Sequence, residues 1–125
     1  MDRLLYMCAA AAGFLGVAFG AFAAHGLKAT LSPELLAAFE TGARYQMYHA
    51  FALFAAAWGF AHWRARAFVV AGWLFVAGIV IFSGSLYVLA LTGVRAWGAV
   101  TPIGGLAFLG GWLCLAWGAN HKISR

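Results

Sequence analysis

The sequence predicts an all-α membrane protein: an up-down bundle of four transmembrane helices with an interfacial helical segment between the first two spans. Three observations carry this expectation. Of 125 residues, 66% are hydrophobic and 9% charged, whereas soluble domains carry about 25% charged residues. Apolar runs of the roughly 20 residues that a helix needs to cross a ~30 Å hydrocarbon core occur four times. None of these runs shows the period-two alternation of a strand, and a segment in lipid must satisfy its backbone groups internally.

The first span covers residues 4–24. Arg3, the apolar stretch and Ala21-Phe22-Ala23 have the outline of a signal peptide and its cleavage site. The run is longer than an h-region, however, and Ala12, Gly16, Gly20 and Ala24 recur every four residues. Such a small-residue stripe lets membrane helices approach closely, so a retained helix is expected. After it comes the one long connection, in which Ser32, Pro33 and Glu34 read as an N-cap, a first helical position and an acid at the positive end of the dipole. Leu35, Leu36 and Phe39 then oppose Glu34 and Glu40. Residues 32–43 either lie along the membrane interface or run on as one long helix into the second span, at 44–62. The third span, 67–91, and the fourth, 99–118, are joined by tight links that make neighbours antiparallel. Several of the six tryptophans fall at interfaces, where indoles sit well, while Trp73 and Trp112 are expected to pack.

The net charge of +5 does not imply a nucleic-acid partner, because the eight Lys and Arg are scattered singly between apolar runs. Topology accounts for them. With the N-terminus inside, Arg3, Arg64, Arg66, Lys122 and Arg125 are cytoplasmic and Lys28, Arg44 and Arg95 external, which favours both termini in the cytoplasm. Cys8 and Cys114 fall near the cytoplasmic ends of their spans, where a structural disulfide is not expected and no metal-type spacing exists. Cys8 also lacks the preceding apolar region of a lipoprotein acceptor.

Alternating spans bring polar residues to one end of the bundle: His25 after span one; Arg44, Tyr45, Gln46, Tyr48 and His49 opening span two; Ser83, Ser85 and Tyr87 late in span three; Thr101 opening span four. Polar groups at membrane depth are costly unless they face one another or water, so this convergence suggests a shared polar pocket. On a helical wheel the arc is too wide for one interior face, and Arg44 or a tyrosine is expected to reach the boundary by snorkelling. Glu40 and Arg44 are spaced as an i,i+4 pair. His49, one turn deeper, is expected to bond Ser83, Ser85 or Tyr87. Gly84 beside the two serines, and Gly104 and Gly105 after Pro102, read as close-packing positions.

FGAFAAHGL at 19–27, TGARYQMYHA at 41–50, FSGSLYVLALTG at 82–93 and TPIGGLAFLGGW at 101–112 resemble the small membrane family known as domain of unknown function 423, to which transmembrane protein 256 is also similar. The likeness covers nearly the whole chain; one departure, at Ala24, is conservative in size. It implies a bacterial inner-membrane protein with four spans and a retained first helix, and brings no biochemical activity with it.

Three functions fit these residues. The first is a non-catalytic, self-associating lipid- or ligand-binding or scaffold protein whose pocket of Arg44, Tyr48, His49 and Ser85 holds a polar headgroup; in a purely structural version the same network only stabilises the bundle. A small-solute transporter or channel component is the second, although no Asp or Glu lies within an apolar span. In the third, His25 and His49 ligate a b-type haem, whereas the first needs no cofactor. Catalysis has no motif: zinc-type His pairs, nucleophile elbows and buried carboxylate pairs are missing from the sequence.

Overall fold

An apolar chain without strand periodicity has one local way to satisfy its backbone in lipid, and every regular element among the described residues is helical. The computed structural model describes residues 1–120; Lys122 and Arg125, assigned above to the cytoplasmic side, lie outside the described residues. Helix α1 (Asp2–Phe22) runs on through a π-helical turn, Ala23–Leu27. The Leu27 carbonyl then accepts from the backbone N–H of Thr30 and of Leu31, which closes the helix end. Ser32 caps the next helix as its sequence predicts: its hydroxyl accepts from Leu35 N–H at 3.2 Å, with Pro33 in the first turn.

That helix, α2, is unbroken from Pro33 to Trp63. Residues 32–43 therefore form no separate interfacial element; nothing between Glu40 and Arg44 stops a helix, and Gly42 is held by packing. At ~1.5 Å per residue, its 31 residues extend about 46 Å, well beyond a ~30 Å core. It ends at Arg64, which adopts φ 56° and carries its guanidinium 4.7 Å over the Phe60 ring. α3 (Arg66–Gly78) and α4 (Gly84–Thr92) are joined by a second π-helical turn, Ile79–Ser83, so the expected third span is one rod with a local widening. Gly93, at φ 72°, turns the chain into a short 3₁₀ segment (Arg95–Ala99) and then α5 (Thr101–Asn120). Among the described residues, three stretches are long and apolar enough to cross a membrane: Asp2–Leu27, Arg66–Thr92 and Arg95–Asn120. α2 is not one of them, because Tyr45, Gln46, Tyr48, His49 and His62 dilute its hydropathy.

α2 is the central helix. It packs against α1, α3, α4 and α5, and α5 packs mainly on α3, whereas α1 and α5 share no comparable interface. The helices therefore form a layered order with two open outer faces instead of a closed ring. Aromatic rings fill notches left by glycines on facing helices: Phe68 lies against Gly59 and Gly118, Phe75 against Gly111, and Phe108 against Gly78. Each notch replaces a Cβ by most of a ring, so apolar contact is gained without separating the helices.

The expected small-residue positions divide accordingly. Ala12 and Gly16 are buried against α2, with Met47 packed on Gly16. At Gly104 an added Cβ would overlap the Phe82 backbone. Gly20 and Gly84 have open space, Gly105 has only ordinary contact, and Ala24 is exposed in the π turn, so these four are not close-packing sites. Of the first-helix stripe, Ala12 and Gly16 thus face α2 within the chain, whereas Gly20 and Ala24 do not.

At the end where α2 begins, Arg95 grips Glu34 with two hydrogen bonds, 2.6 and 3.3 Å, across 61 residues of sequence. The Glu40–Arg44 pair expected from spacing does not form, and Glu34 is the acid that finds an arginine. Hydrogen bonding and charge from Arg95 hold the Glu34 carboxyl below its ordinary 4.5.

Two outcomes follow from this packing. Gly104→Val should destabilise the protein by about 1–3 kcal/mol, because the opposing atoms are backbone and cannot move aside; Gly84→Ala should stay within about 0.5 kcal/mol. Thermal unfolding in detergent distinguishes them. Because the Glu34 pKa is depressed, the pair contributes above the ordinary 4.5 and its contribution is lost as pH falls through the lowered value. Glu34→Gln should remove that part of the acid dependence, measured as unfolding temperature against pH.

Candidate functional site

Four polar side chains are buried among the described residues: Gln46, His49, Ser83 and Ser85, all of them in the predicted set. Removed from water, each must find a partner in the protein. Tyr87 donates its hydroxyl to Gln46 Oε1 at 2.6 Å, and Gln46 Nε2 donates to the Ala12 carbonyl at 2.9 Å, so one amide ties α4, α2 and α1 together. Ser83, in the π-helical turn, donates to the Gly42 carbonyl at 2.7 Å. Ser85 shares a 2.6 Å hydrogen bond with Thr101 and donates to the Phe82 carbonyl, joining α4 to α5.

His49 makes a separate tie. Its ring stacks on Phe108, with centroids 3.5 Å apart and planes 9° from parallel. The Trp112 indole N–H lies 3.1 Å from Nε2, and Nδ1 lies 2.7 Å from the Tyr45 carbonyl. Indole can only donate, so Nε2 accepts, and the proton on Nδ1 is donated to Tyr45. The expected bond from His49 to Ser83, Ser85 or Tyr87 does not form; those groups are already paired with α2 or α5. Trp112 is the site residue that sequence reasoning placed in packing alone. A signal existed: an indole N–H three turns into an apolar helix has no water to donate to and needs an acceptor within the protein.

The predicted residues therefore do not line one pocket. Tyr45, Tyr48 and His49 border a groove of about 600 Å³ between α2 and α5, walled mainly by Phe82, Leu106, Phe108 and Leu109. Arg44 and Tyr48 border a different hollow, between α1 and α2. His25, Gln46, Ser83, Ser85, Tyr87 and Thr101 line neither. His25 is exposed in the π turn after α1, and His49 has both ring nitrogens engaged, so the paired axial ligands of the haem reading are not assembled. Among the described residues no group of three His, Cys, Asp or Glu could hold a metal ion.

No buried side-chain nitrogen or oxygen among the described residues lacks a hydrogen-bond partner. The buried polar side chains thus form a set of cross-helix ties. Trp112→Phe leaves His49 Nε2 without its donor and should cost about 1–3 kcal/mol, read as a lowered unfolding temperature in detergent. The ¹⁵N shifts of His49 should report the Nδ1-protonated tautomer in the wild type.

The sequence profile of a family described as Protein of unknown function (DUF423) matches residues 19–105. A UPF0382 membrane protein of Staphylococcus haemolyticus is 45% identical over 114 residues, covering 90% of this chain and 92% of its own. The UPF0382 membrane protein YwdK of Bacillus subtilis is 45% identical over 102 residues, 81% of this chain and 83% of its own. The UPF0382 inner membrane protein YgdD of Escherichia coli K12 is 39% identical over 118 residues, 94% of this chain and 90% of its own. No solved structure matches the chain. By the extent of the profile match and these identities, the chain belongs to the family described as Protein of unknown function (DUF423), whose relatives here are named membrane proteins.

Proposed function

We propose that this protein is a non-catalytic, lipid-binding scaffold of the bacterial inner membrane, with four spans, both termini cytoplasmic and the first turns of α2 at the outer interface. The observation that carries the reading is the α2/α5 groove. At about 600 Å³ it has the size of a ligand site. Its walls are aromatic and aliphatic and include no charged side chain, and the one imidazole in it already uses both ring nitrogens. A polar ligand would find almost nothing to bond, whereas a hydrocarbon chain would find apolar wall in an opening between two helices. Tyr45 and Tyr48, both substantially exposed, stand beside it with hydroxyls suited to the headgroup level. The occupant is thus an acyl chain of a membrane lipid.

The length of α2 and its central position support the four-span topology despite its diluted hydropathy. Self-association belongs to the same proposal, and the mass of the protein in native-lipid particles measures it. Transport draws no support from the acids: Asp2, Glu34 and Glu40 all lie outside the buried set.

Gly105 provides the test of the groove. A Cβ there would meet only the Phe82 ring, at 3.9 Å, so Gly105→Phe can place a ring in the groove without a backbone clash. Native mass spectrometry should then show fewer retained phospholipids per chain, with the unfolding temperature held or raised. Unchanged retention would falsify the acyl-chain assignment.

A further inference from the structure

The hollow between α1 and α2 has a different chemistry from the groove on α5. It measures about 330 Å³ and its α1 side is glycine, Gly16 and Gly20. Met47 closes over Gly16, while an added Cβ on Gly20 would meet nothing within 4 Å, so the hollow is roomiest toward the outer end of α1. Above it stand Glu40 and Arg44. Their spacing would allow them to pair with each other, yet neither has an ion-pair or hydrogen-bond partner among the described residues. The fold thus holds one negative and one positive side chain over a single hollow, both available.

The order of these charges along α2 is informative. Glu40 lies one turn nearer the helix start than Arg44, about 6 Å further along the axis away from the bilayer centre. In a phospholipid with an amine headgroup, the acyl chains lie deepest, the phosphate next and the ammonium outermost. With the first turns of α2 at the outer interface, as proposed above, Arg44 stands at the depth for a phosphate and Glu40 at the depth for the cation beyond it, beside the glycines of α1. An anionic headgroup would satisfy Arg44 and leave Glu40 facing a like charge. A quaternary amine would meet Glu40 without an N–H to donate, whereas a primary ammonium supplies charge and hydrogen bonds together.

We propose that the hollow between α1 and α2 binds the headgroup of an aminophospholipid, with its phosphate on Arg44 and its primary ammonium on Glu40. This deepens the lipid-binding reading but uses a different cavity from the acyl-chain groove, so the two stand or fall on different substitutions. The protein is reconstituted with equal amounts of phosphatidylethanolamine, phosphatidylglycerol and phosphatidylcholine, and retained lipid is measured by native mass spectrometry. Wild type should retain the ethanolamine lipid over each of the others by about threefold, the scale of one exposed ion pair. Glu40→Gln should abolish that preference, Arg44→Gln should lower retention of all three lipids, and Gly105→Phe should leave the preference intact. Both charged positions are exposed, so unfolding temperatures should not change. Equal retention of the three lipids by the wild type overturns the proposal, as does a preference that survives Glu40→Gln.

Discussion

Inside a bilayer an unpaired polar group has no water to turn to, and this constraint shapes the centre of the protein. α2 contributes two of the four buried polar side chains, and each reaches a different neighbour. Gln46 bonds both α1, through Ala12, and α4, through Tyr87. His49 bonds α5 through Trp112. The Gly42 carbonyl receives Ser83, so α2 also supplies an acceptor to the π-helical turn. Apolar side chains alone would let α2 slide or rotate against its neighbours in lipid, because hydrocarbon is no worse a solvent for them than another helix. Directional bonds at several positions fix its depth and rotation.

Glycine supplies the complementary steric specification. Apolar faces become locking surfaces when one helix has a ring where the next has no Cβ, as at Phe75 and Gly111 or Phe108 and Gly78. Phe108 serves both systems, since its ring fills the Gly78 notch and carries the His49 imidazole on its face. The hydrogen-bonded ties and the aromatic packing are therefore one structure, centred where α2, α3 and α5 meet.

Both proposed lipid sites lie where this core leaves surface open. Because α1 and α5 do not close a ring, two surfaces beside α2 remain unfilled. The opening toward α5 is apolar, and the opening toward α1 carries two charges of opposite sign. Such a division suits a molecule with a hydrocarbon tail and a zwitterionic head. It also separates the interior polar cluster, whose groups are all paired within the protein, from the side chains that remain free to meet a ligand.

Much of the fold was legible in the sequence. The helical class, the Ser32 cap with Pro33 behind it, and the helical stretches around 4–24, 67–91 and 99–118 all follow from local rules of apolar length and capping. The polar set picked out against the apolar background contains the four buried residues Gln46, His49, Ser83 and Ser85, but also His25, Arg44, Tyr45 and Tyr48, which are exposed. Pairing did not follow from local rules. Glu34 chose Arg95 over any neighbour, Glu40 and Arg44 stayed apart, and His49 turned to Trp112, since rotation about a helix axis decides which partner a side chain can reach. Nor could the sequence distinguish glycines that receive a ring, such as Gly78 and Gly111, from Gly20 and Gly84, which face open space. Depth in the membrane follows from position along a chain; which face of a helix meets which neighbour follows only from packing all the helices at once.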